Sequence, residues 1–253
     1  MTATKNPFKT IDLNADLGEG GNQDHALMTF ASSANIACGG HTGNEESIRR
    51  AVELATQTNT TIGAHPGYED PSNFGRKPMH LSSTEIRDLL HRQLERILQV
   101  HPQLHHVKPH GALYNQANQD VTMASALVAA IVELQPNTIL YCPPYGSLAK
   151  AAAELNLNIC PEGFIDRTYQ NDGNLCPRTE KRAVISDSEQ AISQALQIAL
   201  EQKVHTIQGK PITLEAKTLC IHGDSPGALD LLRLTRSSLE ENGIKIVAPC
   251  FQS

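Results

Sequence analysis

The sequence has 253 residues, enough for one large undivided core, and its 40% hydrophobic and 19% charged content is ordinary for a globular protein. A net charge of -6, few aromatics and no tryptophan argue against nucleic acid or an anionic membrane as partner, because both call for a basic footprint. Residues 1–10 carry no apolar signal core, and no apolar run approaches the ~18 residues that span a bilayer. Cys38, Cys142, Cys160, Cys176, Cys220 and Cys250 are scattered without zinc spacing. The chain is therefore expected to be cytoplasmic and reduced.

Residues 11–16 alternate like a short strand and run into the glycine-rich loop 17–21. Residues 24–31 fit a short helix and 33–38 a second strand. Asn44, followed by Glu45 and Glu46, reads as the capped, acidic start of a helix running through Ala55, with Ile48, Ala51, Val52 and Ala55 as its apolar stripe. Residues 60–64 form a third strand, and the loop 66–79 holds Phe74-Gly75-Arg76. Ser82 or Ser83, with Glu85, opens the next helix. Residues 106–108 are a fourth strand, 120–134 a helix, and 138–141 a fifth strand ended by Pro143-Pro144. A helix over 147–155 precedes a sixth strand over 157–160, which ends in Pro161-Glu162.

Strand and helix thus alternate across connections too long for hairpins, which predicts a parallel sheet with helices outside it. The segment 163–217 breaks the rhythm. It contains an Asp172-Gly173 turn, a capping box at Ser186 and Glu189 opening a helix to about 202, and a hairpin across Gly209-Lys210-Pro211. Residues 218–221 are a seventh core strand, 226–239 a helix and 244–248 a closing strand. Neither a repeat nor a linker divides the chain, so residues 1–253 are read as a single domain elaborated at about 163–217.

Four of the apolar runs end in a histidine with glycine close by: His41, His65, His110 and His222. A lone histidine is commonly structural, but four at equivalent strand ends point to one site, as acids, bases, metal ligands or oxyanion donors. Asp16, Glu162, Asp166 and Asp224 follow the same strand ends and are candidates to activate water. Lys108, Arg167, Arg76 and Arg178 suit an anionic substrate, a carboxylate or a phosphate. No Walker loop, dinucleotide fingerprint or nucleophile elbow is present.

The motifs Asp12-Leu13-Asn14-Ala15-Asp16-Leu17-Gly18-Glu19, Ala37-Cys38-Gly39-Gly40-His41, Gly63-Ala64-His65-Pro66, Phe74-Gly75-Arg76, Lys108-Pro109-His110-Gly111-Ala112-Leu113-Tyr114-Asn115 and His222-Gly223-Asp224-Ser225-Pro226 together resemble the LamB/YcsF family, from about residue 10 to 250. Asp166-Arg167-Thr168-Tyr169 and Arg178 fit the same pattern. Ala15 stands where a cysteine is common, and Gly40 and Asn44 replace a bulkier residue and an aspartate. The resemblance implies a (β/α)7-type barrel of the glycoside hydrolase/deacetylase kind with a small inserted β-hairpin/helix region. It also implies opening of 5-oxo-L-proline to L-glutamate driven by ATP, together with separate B and C subunits. ATP would bind here or on a partner subunit. Catalytic candidates are then Asp16, His41, His65, Lys108, His110, Glu162, Asp166, Arg167, His222 and Asp224, and Asn14, Arg76, Tyr114 and Arg178 would hold substrate or phosphate. A competing reading is a metal-dependent deacetylase-like amidohydrolase with a divalent ion on Asp16, His41 and His65. A third is a non-catalytic carrier or scaffold, and a homo-oligomer is left open.

Overall fold

A computed structural model describes residues 9–223 and 227–250. Asp224, Ser225 and Pro226 fall outside the described residues, and with them one candidate carboxylate and the expected first residue of the last helix. The first half runs β1 (Lys9–Leu17), α1 (Asp24–Met28), β2 (Ser33–Ala37), α2 (Glu45–Thr58), β3 (Thr61–His65), α3 (Ser83–Leu98), β4 (His106–Val107), α4 (Gly111–Gln119) and α5 (Val121–Leu134). The second half runs β5 (Ile139–Cys142), α6 (Ser147–Glu154), β6 (Asn158–Phe164), α7 (Ser188–Glu201), β7 (Lys203–His205), β8 (Pro211–Thr213), β9 (Thr218–Ile221), α8 (Ala228–Glu241) and β10 (Ile244–Ile246).

Strands β1 to β6 pair in parallel in chain order, β6 pairs with β9, and β9 returns to β1, closing a seven-stranded parallel barrel. Helices cover the outside, as the alternation predicts. Along β1 the period of two divides the work. Leu13, Ala15 and Leu17 join the apolar cluster under the helices, while Asp12, Asn14 and Asp16 point into the barrel. The barrel interior is therefore polar, and its buried groups need partners within it. Asp12 accepts from Ser32, Ser33 and Thr218, and Asn14 donates to Glu162 and Thr218. Asn35 donates to Asn14 and Asp16 and accepts from His106, whose ring stacks on Tyr141 at 4.0 Å. Room for that ring comes from Gly63, where a Cβ would lie only 2.2 Å from His106 Nε2.

Several boundaries differ from expectation. Helix α4 was not foreseen, because it starts at a glycine with positive φ two residues after Pro109, where breakers dominate the local signal. Strand β6 does not stop at Pro161. It continues to Phe164, since Pro161 still accepts from Lys217 N through its carbonyl and lacks only the donor. The cap of α7 is Asp187, which accepts from Gln190 N, and not Ser186. Strand β10 adds in parallel to the outer end of β1 at Lys9–Ile11 and does not close the barrel. The expected hairpin across 209–211 is present as the antiparallel pair β7 and β8. Among the described residues no helix is long and apolar enough to cross a membrane.

Gly63→Ala should destabilise the protein by about 1–3 kcal/mol, the usual cost of overfilling a packed interior. Urea unfolding of the purified variant measures this, and an unchanged midpoint would show that the His106 column yields freely.

Candidate active site

The C-terminal strand ends deliver the candidate residues to one mouth of the barrel, where parallel barrels gather their chemistry. Lys108, immediately after β4, is 2% exposed. Its ammonium lies 2.9 Å from Asp16 Oδ1, 3.0 Å from Glu162 Oε1, 3.1 Å from Asn14 Oδ1 and 2.9 Å from Cys220 Sγ. Burial alone would strip the proton from Lys108, but Asp16, Cys220 and Glu162 outweigh it and hold the ammonium well above its ordinary range. Burial likewise works against the Asp16 charge, yet His65 and Lys108 hold that carboxyl well below the usual carboxylate range.

Above this ion cluster sit three histidines. His65 Nδ1 lies 2.7 Å from the Lys108 carbonyl oxygen and His110 Nε2 lies 2.9 Å from the Phe74 carbonyl oxygen. A carbonyl only accepts, so both of these nitrogens carry hydrogen. The remaining two, His65 Nε2 and His110 Nδ1, face each other at 2.9 Å. His41 stacks on His110 with ring centroids 3.7 Å apart, and its Nε2 lies 3.0 Å from Glu19 Oε1. Burial and the neighbouring His65 push His41 down to about 3, and burial, His65 and His41 push His110 well below its ordinary value, so both rings are neutral near pH 7. Gly75, with φ of +61°, lets the chain pass the stack, since a Cβ there would come within 2.7 Å of His41 Cβ. Glu19, His41, His65 and His110 each offer a ligand atom within 4.8 Å of the others, and so do Asp16, Cys220 and His222.

His222, after β9, lies 2.8 Å from Asp166 through Nδ1, and its ring stacks on Phe164. Burial would raise the Asp166 carboxyl, but the His222 charge and hydrogen bond, then Arg167 and Arg178, hold it low. Next to Phe164 lies a cavity of about 20 Å³, walled in part by Tyr114, Asn118, Glu162 and Tyr169. The Tyr114 hydroxyl, Asn118 Oδ1 and Glu162 Oε2 are buried there without a hydrogen-bond partner. Burial and the Glu162 carboxylate raise the Tyr114 phenol well above its ordinary value, so it stays protonated.

Asn14, Asp16, His41, His65, Lys108, His110, Tyr114, Glu162, Asp166 and His222 thus come together. Arg167 adjoins Asp166 but commits its hydrogen bonds elsewhere. It donates to the Ala183 and Cys176 carbonyls and ties down the segment after β6. Arg76 lies 4.7 Å over the Phe74 ring at the rim, and Arg178 is exposed. Sequence reasoning missed Glu19, Asn35, His106 and Asn118. Asn35 and His106 occupy inward positions of short strands, and only the alternation seen in β1 hinted that the interior is polar. Glu19 lay in the glycine-rich loop 17–21 and was quoted only as part of a motif, and Asn118 lay on the helix that was not foreseen.

Lys108→Met should cost about 3–5 kcal/mol, because it leaves two buried carboxylates without their cation. Urea unfolding would measure it, and Lys108→Met with Glu162→Gln should recover part of the loss. Because the folded Asp166 carboxyl is depressed, its stabilisation is fully present above the ordinary carboxylate pKa and is lost as pH falls through the folded value. Melting temperatures taken between about pH 2 and 5 should accordingly fall less steeply for Asp166→Asn than for the parent protein.

The family model of LamB/YcsF matches residues 11–252. The A subunit of 5-oxoprolinase from Oceanobacillus iheyensis is 41% identical over 245 residues, covering 93% of this chain and 95% of that protein. Its namesake from Bacillus cereus is 40% identical over 253 residues, covering 96% and 100%. The crystal structure of a lactam utilization protein from Thermus thermophilus superposes with a TM-score of 0.88 at 37% identity, covering 95% of this chain and all of that one. The structure called T48 deacetylase, at 13% identity and a TM-score of 0.51 over 95% and 88% of the two chains, shares the fold alone. With the motifs, the closed seven-stranded barrel and these matches in agreement, the chain belongs to the LamB/YcsF family.

Proposed function

We propose that this protein is the A subunit of an ATP-hydrolysing 5-oxoprolinase, which opens the lactam of 5-oxo-L-proline to L-glutamate together with B and C subunits. The relatives' names suggest the reaction. The observation that carries the reading is Glu162: one oxygen is bound to the Lys108 ammonium and the other faces the Tyr114 hydroxyl in the cavity. A carboxylate anchored on a buried cation, with its second oxygen turned into the cavity, is equipped to take a proton from water.

A lactam is a weak electrophile, and its carbonyl needs activation before water adds. Transfer of the γ-phosphoryl group of ATP to the lactam oxygen releases ADP and makes the ring carbon attackable. Water adds there with its proton passing to Glu162, and the ring C–N bond then breaks with its nitrogen taking a proton. A second water releases phosphate and leaves glutamate. The Tyr114 phenol, kept protonated, donates to developing negative charge, and His222, oriented by Asp166, is placed to serve the departing nitrogen. Arg76 and Arg178 stand on the outer side as cations for the substrate carboxylate or phosphate. The chain has no Walker loop, so the nucleotide sits on an unfamiliar surface of this chain or on a partner subunit.

Reconstitution with B and C subunits tests the reading by glutamate release from 5-oxo-L-proline and ATP. The complex should turn over, and Glu162→Gln should lower kcat by about 10²- to 10⁴-fold, the usual contribution of a general base. A folded complex that releases no glutamate would sink the assignment. Retention of full rate by Glu162→Gln would remove Glu162 from it.

A further inference from the structure

The pair of imidazoles above Lys108 poses a problem of hydrogen count. Each ring has committed one nitrogen to a backbone carbonyl, His65 to Lys108 and His110 to Phe74. If both rings are neutral they hold two hydrogens, and both are spent on those carbonyls. The remaining lone pairs, on His65 Nε2 and His110 Nδ1, would then oppose each other at 2.9 Å. A positive centre, either a metal ion or an added proton on His65 beside Asp16 Oδ2 at 3.4 Å, has to stand between or beside them. Anchoring the far nitrogen on a carbonyl is also how proteins fix the tautomer and aim of a ligating histidine.

We infer that His65, His110 and Glu19 form a binding site for one divalent transition-metal ion of the zinc class, with His41 as the group that orients Glu19. Three observations bear on it beyond the facing lone pairs. First, donor atoms of Glu19, His41, His65 and His110 all lie within 4.8 Å of one another, and all three rings are buried. Second, carboxylate charge is at hand: Glu19 Oε1 is 3.7 Å from His110 Nδ1 and Asp16 Oδ2 is 3.4 Å from His65 Nε2. Third, His41 and His110 are stacked within 5° of parallel at 3.7 Å. Lone pairs lie in the ring plane, so stacked rings cannot both aim at one ion. His41 instead holds Glu19 at 3.0 Å through Nε2.

Two imidazoles with carboxylate oxygen match the donor preference of zinc, cobalt and nickel over magnesium or calcium. Nitrogens bound to one tetrahedral ion at about 2.0–2.1 Å stand roughly 3.3 Å apart, so the two rings need part by only a few tenths of an ångström. The second cluster, Asp16, Cys220 and His222, is no rival. The Lys108 ammonium already sits 2.9 Å from both Asp16 and Cys220. The assignment stands apart from the proposed lactam reaction, because it rests on the histidine cluster alone.

The experiment is a titration of chelator-treated, full-length protein with Co²⁺, followed by its visible ligand-field bands, and with Zn²⁺ by calorimetry, with elemental analysis after dialysis. One ion per chain is expected. His110→Ala and Glu19→Gln should abolish or weaken binding by more than ~100-fold, and His41→Ala should weaken it by about 10- to 100-fold, as for a residue one shell out from a metal. His222→Ala should leave binding unchanged. Glu19→Gln preserves side-chain shape, and far-ultraviolet circular dichroism of each variant separates loss of a ligand from loss of fold. Absence of stoichiometric binding would mean that a shared proton alone links His65 and His110, and the inference fails. It fails equally if Glu19→Gln binds as the parent does, or if His222→Ala removes the ion.

Discussion

A single buried ammonium organises this molecule. Lys108 is surrounded by Asp16, Glu162, Asn14 and Cys220, which come from β1, β6 and β9 on the far walls of the barrel. Charges taken out of water cost several kcal/mol each unless their partners satisfy them, so the strands that close the barrel are also those that must bring the carboxylates to the lysine. Closure and charge compensation are the same event here. That coupling explains why the interior tolerates so many polar side chains: each is fixed by the next, from Asp12 and Thr218 at one end through Asn14 and Asn35 to Asp16.

The same chain of contacts sets the division of labour at the mouth. Glu162 spends one oxygen on the structural network and keeps the other for the cavity. Asp16 spends Oδ1 on Asn35 and Lys108 while Oδ2 faces His65. Each carboxylate thus has one oxygen fixed in the network and the other turned toward the mouth.

Much of this could be read from the residues in advance. Alternating apolar stripes and caps located α2 and α3, with Asn44 and Ser82 capping as their side chains suggest, and the recurring histidines after strands marked the mouth. What could not be read falls into two kinds. Local breakers hid order that tertiary packing imposes: α4 begins on Gly111, and β6 passes through Pro161 because its neighbours supply the missing pairings. Facing was also hidden. Nothing local distinguishes an inward Asn35 or His106 from an outward one in strands of five and two residues. The guanidinium of Arg167 looked like a ligand for anions, whereas the fold spends it on the carbonyls of Ala183 and Cys176.

The long excursion between β6 and β9 begins and ends on strands that are direct neighbours, with Glu162 opposite Thr218. Its two stems are thus fastened side by side in the wall itself. Yet Tyr169, Gly173, Asn174, Leu175 and Leu214, all from this excursion, line the cavity beside Glu162. A change of sequence in this excursion can therefore alter the walls around the Glu162 carboxylate while β6 and β9 hold that carboxylate in place.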